Sequence, residues 1–167
     1  MKKIFIFGLA GSGKTTLAKK LSEKLKIKSY DLDDIFFKNN NYKKRSEQDK
    51  KKILSKIIKN KKYILEGAHT DDWTSSMLKK VDTIIILKTK ISLCKIRVLK
   101  RYIQRKLSKN TRKESLIGVL NLIAKFVNKK TLEESINQIE KYKGNNKPKI
   151  IIIKNKKEIT KFINNLR

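Results

Sequence analysis

The chain has 167 residues with 44 Lys and Arg against 15 Asp and Glu, a net charge of +29, one cysteine and one histidine. That length suits one domain and buries roughly 70% of the unfolded surface, while a lone cysteine excludes an internal disulfide framework and suits a reducing compartment. No signal peptide is recognisable, and the longest apolar runs, 84–87 and 150–153, are too short to span a bilayer, so a soluble cytoplasmic protein without membrane contact is expected.

From the N-terminus, residues 3–7 predict a short buried strand. Gly8-Leu-Ala-Gly-Ser-Gly13-Lys14-Thr15 then fits the phosphate-binding loop, two glycines bracketing four residues and followed by Lys and Thr. Wrapping a polyphosphate with backbone N–H groups needs small side chains, and Gly8, Ala10, Gly11, Ser12 and Gly13 supply them. Lys14 is placed to reach the β- and γ-phosphates of ATP, and the Thr15 hydroxyl to ligate Mg²⁺. The helix that opens through Thr15 and Thr16 adds unpaired N–H groups and the positive end of its dipole. Leu17, Ala18, Leu21 and Leu25 give that helix one apolar stripe.

Residues 28–30 predict a weak second strand ending in Asp31-Leu-Asp33-Asp34. Asn39-Asn-Asn41 breaks the chain, and Ser46 caps a helix running to about residue 59. Residues 62–66 and 82–87 predict the third and fourth strands. A basic helix runs from 91 to about 106, and the polar residues 108–114 predict a mobile loop. Two helices follow over 115–142, the second started by the capping-box spacing Thr131-Leu-Glu-Glu134. Pro148 introduces a fifth strand over 149–153, and a last helix starts near 157. Strands alternating with helices, and continuous apolar runs, predict an α/β fold whose parallel sheet is buried on both faces.

Ligands of such sheets bind beyond the carboxyl ends of the strands, where the glycine loop, residues 31–34 and residues 66–69 all fall. A carboxylate there can hold a Mg²⁺-bound water or orient an acceptor hydroxyl, which makes Asp31, Asp33 and Glu66 candidates. The plain alternative for Asp33 or Asp34 is to cap a helix beginning near Ile35. Glu66 ends an apolar strand, a costly place for a charge without a task. Arg97, Arg101, Arg105 and Arg112 are four of only six arginines, and the first three recur every four residues on one helix face. A guanidinium grips phosphate oxygens bidentately and stacks on a base, which Lys does less well. The other cations are mostly Lys, spread along the whole chain, which favours a solvated basic surface over one nucleic-acid patch.

These motifs together resemble P-loop kinases of the adenylate-kinase and shikimate-kinase type. The narrower likeness is to small kinase-like proteins called DNA topology modulation proteins. It is carried by Leu32-Asp33-Asp-Ile35-Phe36, Glu66-Gly67 and Cys94-Lys-Ile-Arg97-Val-Leu-Lys-Arg101, and covers most of residues 1–112. The resemblance implies a single three-layer P-loop domain over 1–167 with a five-stranded sheet in order 2-3-1-4-5. It also implies an acceptor-binding segment at about 35–60 and a lid at about 102–114. By position, Arg97 resembles the residue stacking on adenine, and Arg101 the one contacting the transferring phosphate. Arg105 and Arg112 resemble lid arginines, and Asn155 opens a loop like the one holding the adenine edge. Two departures stand out. Glu66 replaces the family Asp, and Ala68-His69-Thr70-Asp71-Asp72 replaces an arginine that grips an acceptor phosphate. His69 either donates to an acceptor or is a plain loop histidine, and Arg45 is the sole arginine of the acceptor segment.

The expectation is an ATP- and Mg²⁺-dependent phosphotransferase, monomeric or homodimeric, acting on a small molecule, nucleoside or nucleotide. The alternatives are a nucleic-acid-binding protein with a regulatory ATP site and a polynucleotide 5′-hydroxyl kinase.

Overall fold

The computed structural model of the chain describes residues 1–38, 43–107 and 115–166. In chain order these form β1 (Lys3–Gly8), α1 (Lys14–Leu25), β2 (Ser29–Asp31), α2 (Leu32–Phe36), β3 (Phe37–Lys38), β4 (Lys43–Lys44) and α3 (Glu47–Ile58). Then come β5 (Tyr63–Gly67), a 3-10 turn (Asp72–Thr74), α4 (Ser75–Leu78), β6 (Thr83–Leu87), α5 (Ile91–Leu107), α6 (Leu116–Phe126), α7 (Lys129–Lys143), β7 (Lys149–Ile153) and α8 (Lys156–Asn164). The main sheet is parallel throughout, in order β2-β5-β1-β6-β7. The expected numbering 2-3-1-4-5 becomes 2-5-1-6-7 because β3 and β4, unforeseen in the sequence, pair antiparallel with each other outside the sheet.

The apolar strands divide the core between two layers, because successive side chains leave a strand on opposite faces. Phe5, Phe7, Tyr63, Leu65, Ile84 and Ile86 meet α2, α3, α4 and α7 on one face, around the fully buried Trp73. Ile4, Ile6, Ile64, Ile85, Leu87 and Ile153 meet α1 and α8 on the other. A third, smaller cluster joins Leu9 of the glycine loop to α5 and α6.

Burial on both faces holds for the three inner strands β5, β1 and β6, while the edge strand β2 is half-buried and β7 leaves Ile150 and Ile152 39% and 47% exposed. An edge strand has a neighbour on one side only, and among the described residues no helix covers the Ile150 and Ile152 face, whereas Ile151 and Ile153 pack with α8 on the other. Two helix starts also differ from expectation. α2 begins at Leu32, not near Ile35, because Asp31 is its cap and accepts from the Asp33 N–H at 2.8 Å. α7 begins at Lys129, because Asn128 accepts from the Thr131 N–H at 2.8 Å and places Thr131 inside the first turn. The Asn39–Asn41 break and the 108–114 loop lie outside the described residues.

Two glycines of the loop have backbone φ of +78° (Gly11) and +103° (Gly13), the left-handed region that side chains resist. A Cβ on Gly11 would stand 2.4 Å from the Cys94 carbonyl oxygen, whereas one on Gly13 would meet nothing within 4 Å. Gly13→Ala should therefore cost only the conformational term, about 1–3 kcal/mol. Gly11→Ala should cost more, since loop and α5 must also separate. Urea unfolding of the two variants checks the ranking, and equal losses would contradict it.

Candidate active site

Parallel strands end on one side, so β1, β2 and β5 deliver their last residues to one edge. β1 leaves through Gly8 into a tight loop where the Ser12 N–H donates to the Leu9 carbonyl at 3.1 Å. Leu17 N–H to Gly13 carbonyl, at 3.0 Å, starts α1. No side chain caps that helix and its first turn holds no acidic residue, so its N–H groups stay available to an anion. Thr15 and Thr16 are exposed on the same turn, while Ala10 packs half-exposed against the third cluster. Lys14 folds back over the loop, its Nζ donating to the Leu9 carbonyl at 3.2 Å. Desolvation pulls its pKa below the ordinary lysine value, against the opposing pull of Glu66, Asp33 and Asp31.

Asp31 of β2 and Glu66 of β5 are register partners on adjacent strands. Glu66 is 3% exposed and its Oε1 has no hydrogen-bond partner among the described residues. Burial, and then the charge of Glu66 beside it, push Asp31 up to about 7. Two neighbouring carboxylates in a low-dielectric cleft resist ionising together.

Asp33 is the second residue of α2 with its side chain 64% exposed, and its Oδ1 is 2.9 Å from His69 Nε2. Asp71 Oδ2 lies 3.7 Å from the other ring nitrogen. The imidazole stacks on Phe36 with centroids 4.4 Å apart and planes 17° apart, and Trp73 lies 5.6 Å away. Lys50 Nζ sits over the rings of Phe36 (4.6 Å) and Trp73 (5.6 Å), and its ammonium pairs with Glu47. Thr70 Oγ1 donates to Gln138 Oε1 at 2.5 Å, tying the loop after β5 to α7. Beside this wall a cleft of about 420 Å³ is lined by Lys38, Lys43, Lys44, Arg45 and Ser46 with Asp49 and Ile53.

Burial disfavours the His69 imidazolium, but the contacts with Asp33 and Asp71 outweigh it and raise the pKa above 6.5. Asp33 is correspondingly lowered, first by its hydrogen bond with His69. A raised histidine pKa stabilises the fold fully below about pH 6.5, and that contribution is lost as pH rises through the folded value. Because His69 is the only histidine, its ring protons should titrate as one resolved signal with a midpoint above 6.5. Asp33→Asn should lower that midpoint. A midpoint at or below 6.5 in the parent protein would mean the pair does not form in solution.

The edge thus brings together the glycine loop, Lys14, Asp31, Asp33 and Glu66. Arg101 joins them, since its charge acts on both Lys14 and Asp33. Arg97 does not point away from the loop as a free stacking platform: its Nη1 donates to the Gly11 carbonyl at 3.2 Å and reaches the Ser12 carbonyl at 3.5 Å. Arg105 is half-buried on α5, and Arg112 lies outside the described residues. The Asn155 side chain caps α8, accepting from the Glu158 N–H at 3.0 Å and donating to Glu158 Oε1 at 2.5 Å. The wall of Phe36, Lys50 and Trp73 was not foreseen. Trp73, the lone tryptophan a few residues past the third strand, was a readable signal; Lys50, one lysine among many, was not.

With this geometry established, comparison with known proteins is informative. A family described as an AAA domain matches residues 4–116. A shikimate kinase of Azobacteroides pseudotrichonymphae genomovar. CFP2 is 30% identical over 168 residues, covering 83% of this chain and 98% of that protein. The fold resembles shikimate kinase from Acinetobacter baumannii in complex with shikimate, with a TM-score of 0.61 at 16% identity over 98% of this chain and 89% of the other. It also resembles deoxyadenosine kinase from M. mycoides with bound dCTP, with a TM-score of 0.53 at 20% identity over 96% of each chain. Among the described residues no helix is long and apolar enough to cross a membrane.

Proposed function

The chain belongs to the AAA domain family, as a P-loop kinase of the adenylate-kinase and shikimate-kinase type, and from that premise we propose that it transfers the γ-phosphoryl group of ATP to a hydroxyl of a small molecule. The observation that carries this reading is Asp33. It is an exposed carboxylate at the sheet edge, held by His69, and it interacts electrostatically with Lys14 and Arg101. The loop binds the donor, Lys14 and Arg101 neutralise charge on the moving phosphoryl group, and Asp33 orients the acceptor hydroxyl and receives its proton. The aromatic wall of Phe36 and Trp73 shapes the acceptor side, and the cationic cleft around Arg45 suits an acceptor that carries an anionic group.

The residues fit Mg²⁺. The partnerless Glu66 Oε1, its register neighbour Asp31 and the exposed Thr15 hydroxyl offer oxygen ligands beside an uncapped helix N-terminus. Among the described residues no group of three His, Cys, Asp or Glu can hold an ion by itself, as expected of a cation shared with substrate phosphates. When bound, the ion would offset negative charge on the substrate phosphates. Asp31 and Glu66 then have a reason to sit side by side.

Arg97, which donates to the Gly11 carbonyl, is proposed to stack on the adenine of bound ATP. Asn155 contributes to the adenine edge through its backbone, since its side chain caps α8. Arg105 closes over the phosphates from the lid at about 102–114. Residues 1–167 act as one domain, with 35–60 as the acceptor segment. The narrower likeness to DNA topology modulation proteins rests on the three sequence motifs given above.

The test is labelled ATP offered with Mg²⁺ and a panel of nucleosides, nucleotides, small hydroxy acids, sugars and 5′-hydroxyl oligonucleotides. Label appearing on a small-molecule hydroxyl is the expected outcome. Rapid acceptor-free hydrolysis with no labelled product would overturn the assignment. The net charge of +29 favours one second reading, in which the acceptor is a nucleic-acid end or the nucleotide site regulates nucleic-acid binding. That reading requires duplex binding that persists at about 0.15 M salt and changes with ATP.

A further inference from the structure

Helix α5 has two apolar faces. Ile91, Cys94, Val98 and Tyr102 form the inner one and pack with α6 and Leu9. At 100° per residue the opposite side carries Leu93, Ile96, Ile103 and Leu107, which are 42%, 59%, 54% and 79% exposed. Exposed Lys100 lies between them. A surface helix facing solvent on its outer side should be polar there; α5 is not.

The spacing of the outer residues is specific. Positions 93, 96, 100, 103 and 107 advance by three, four, three and four residues, the a and d spacing of a helix that pairs with another helix. A flat apolar surface, such as a bilayer, imposes no such register. Charge then selects the partner. α5 contains no Asp or Glu, Lys100 occupies the middle a position, and Lys95, Arg97 and Lys106 share the helix. A second copy would bring another +29 against this basic face, so charge favours an acidic partner over self-association.

We propose that the outer face of α5 docks an amphipathic acidic helix of a partner protein, with apolar residues against Leu93, Ile96, Ile103 and Leu107 and a carboxylate facing Lys100. A single polar position in such a seam fixes register and partner choice, which Lys100 would do here. Leu93, Ile96 and Lys100 lie outside the proposed nucleotide, acceptor and lid segments, whereas Ile103 and Leu107 fall within the proposed lid, so the test reads binding itself and not phosphoryl transfer.

The experiment uses the full chain and a synthetic fluorescein-labelled helical peptide. The peptide has Leu at a and d, Glu at e and g, and one Glu at the a position opposite Lys100. Binding is followed by anisotropy at about 0.15 M salt, where charges beyond a Debye length of about 8 Å are screened. Saturable binding is expected. Ile96→Ser combined with Ile103→Ser should weaken it by at least about tenfold, since exposed positions can lose apolar area without loss of the fold. Lys100→Glu should weaken it too, and should transfer preference to a peptide with Lys at the facing position. A scrambled peptide of equal charge that binds as well would overturn the proposal, as would undiminished binding by the Ile96/Ile103 variant. Failure of the peptide, with self-association in sedimentation abolished by that variant, would assign the face to a second copy. Failure with binding to phosphatidylserine vesicles, again abolished by that variant, would assign it to a membrane surface.

Discussion

Lys14→Met should lower phosphoryl transfer by at least about 10³-fold, the upper range for removing one preorganised electrostatic partner of a transition state. The loss should appear in kcat/KM, because Lys14 is proposed to contact phosphates whose charge is redistributed during transfer. Thermal stability should not fall with it. The ammonium is desolvated in the free protein and hydrogen-bonds one loop carbonyl, while the Met side chain keeps most of the aliphatic stem in place. The neighbouring carboxylates lose a cation, and Asp31, already pushed up to about 7 by burial, relieves that by taking up a proton. Initial rates with saturating acceptor, alongside a melting curve, check both halves. Retained transfer would remove the glycine loop from catalysis.

Asp33→Asn should lower kcat by about 10²–10⁴-fold, the usual worth of a positioned general base. The apparent KM for ATP should stay near its parent value, because Asp33 is proposed to face the acceptor and its side-chain hydrogen bond is to His69. The side chain is largely exposed, so the amide is accommodated without a folding cost. The same variant removes one of the two carboxylates that hold the imidazolium, so His69 should titrate closer to an ordinary histidine. A variant in which the His69 midpoint moves but kcat does not would make Asp33 a structural partner only. A fall in both places Asp33 at the acceptor. The parent enzyme should also keep its activity to lower pH than an ordinary carboxylate base would allow. His69 lowers the Asp33 pKa, and the base stays ionised until pH falls through that lowered value.

The residues that sit on local rules were legible in order along the chain. The glycine loop announced itself because φ near +78° and +103° is available cheaply only to glycine. The strands were legible because Ile, Phe and Leu crowd both faces of a sheet covered by helices. The Asp31 cap was misassigned by two residues, because Asp31, Asp33 and Asp34 can each cap a short helix, and only the end of β2 decides among them. Asn128 displaced Thr131 as a helix start for the same kind of reason: it too offers a side-chain acceptor three residues ahead of an N–H.

The sequence by itself determined the glycine loop. A loop between a strand and a helix is built from neighbours in the chain, so its chemistry is written contiguously. Tertiary structure alone decided the wall around Asp33. His69 reaches Asp33 across 36 residues, Lys50 slides under Phe36 and Trp73, and Gln138 anchors Thr70 across 68. Parallel strands return to one edge only after a helix has crossed the sheet, so partners in that wall are separated by whole βα units. It also decided that α5 is apolar on two sides and covered on one, since a periodicity shows that a face is apolar and packing shows whether anything lies against it.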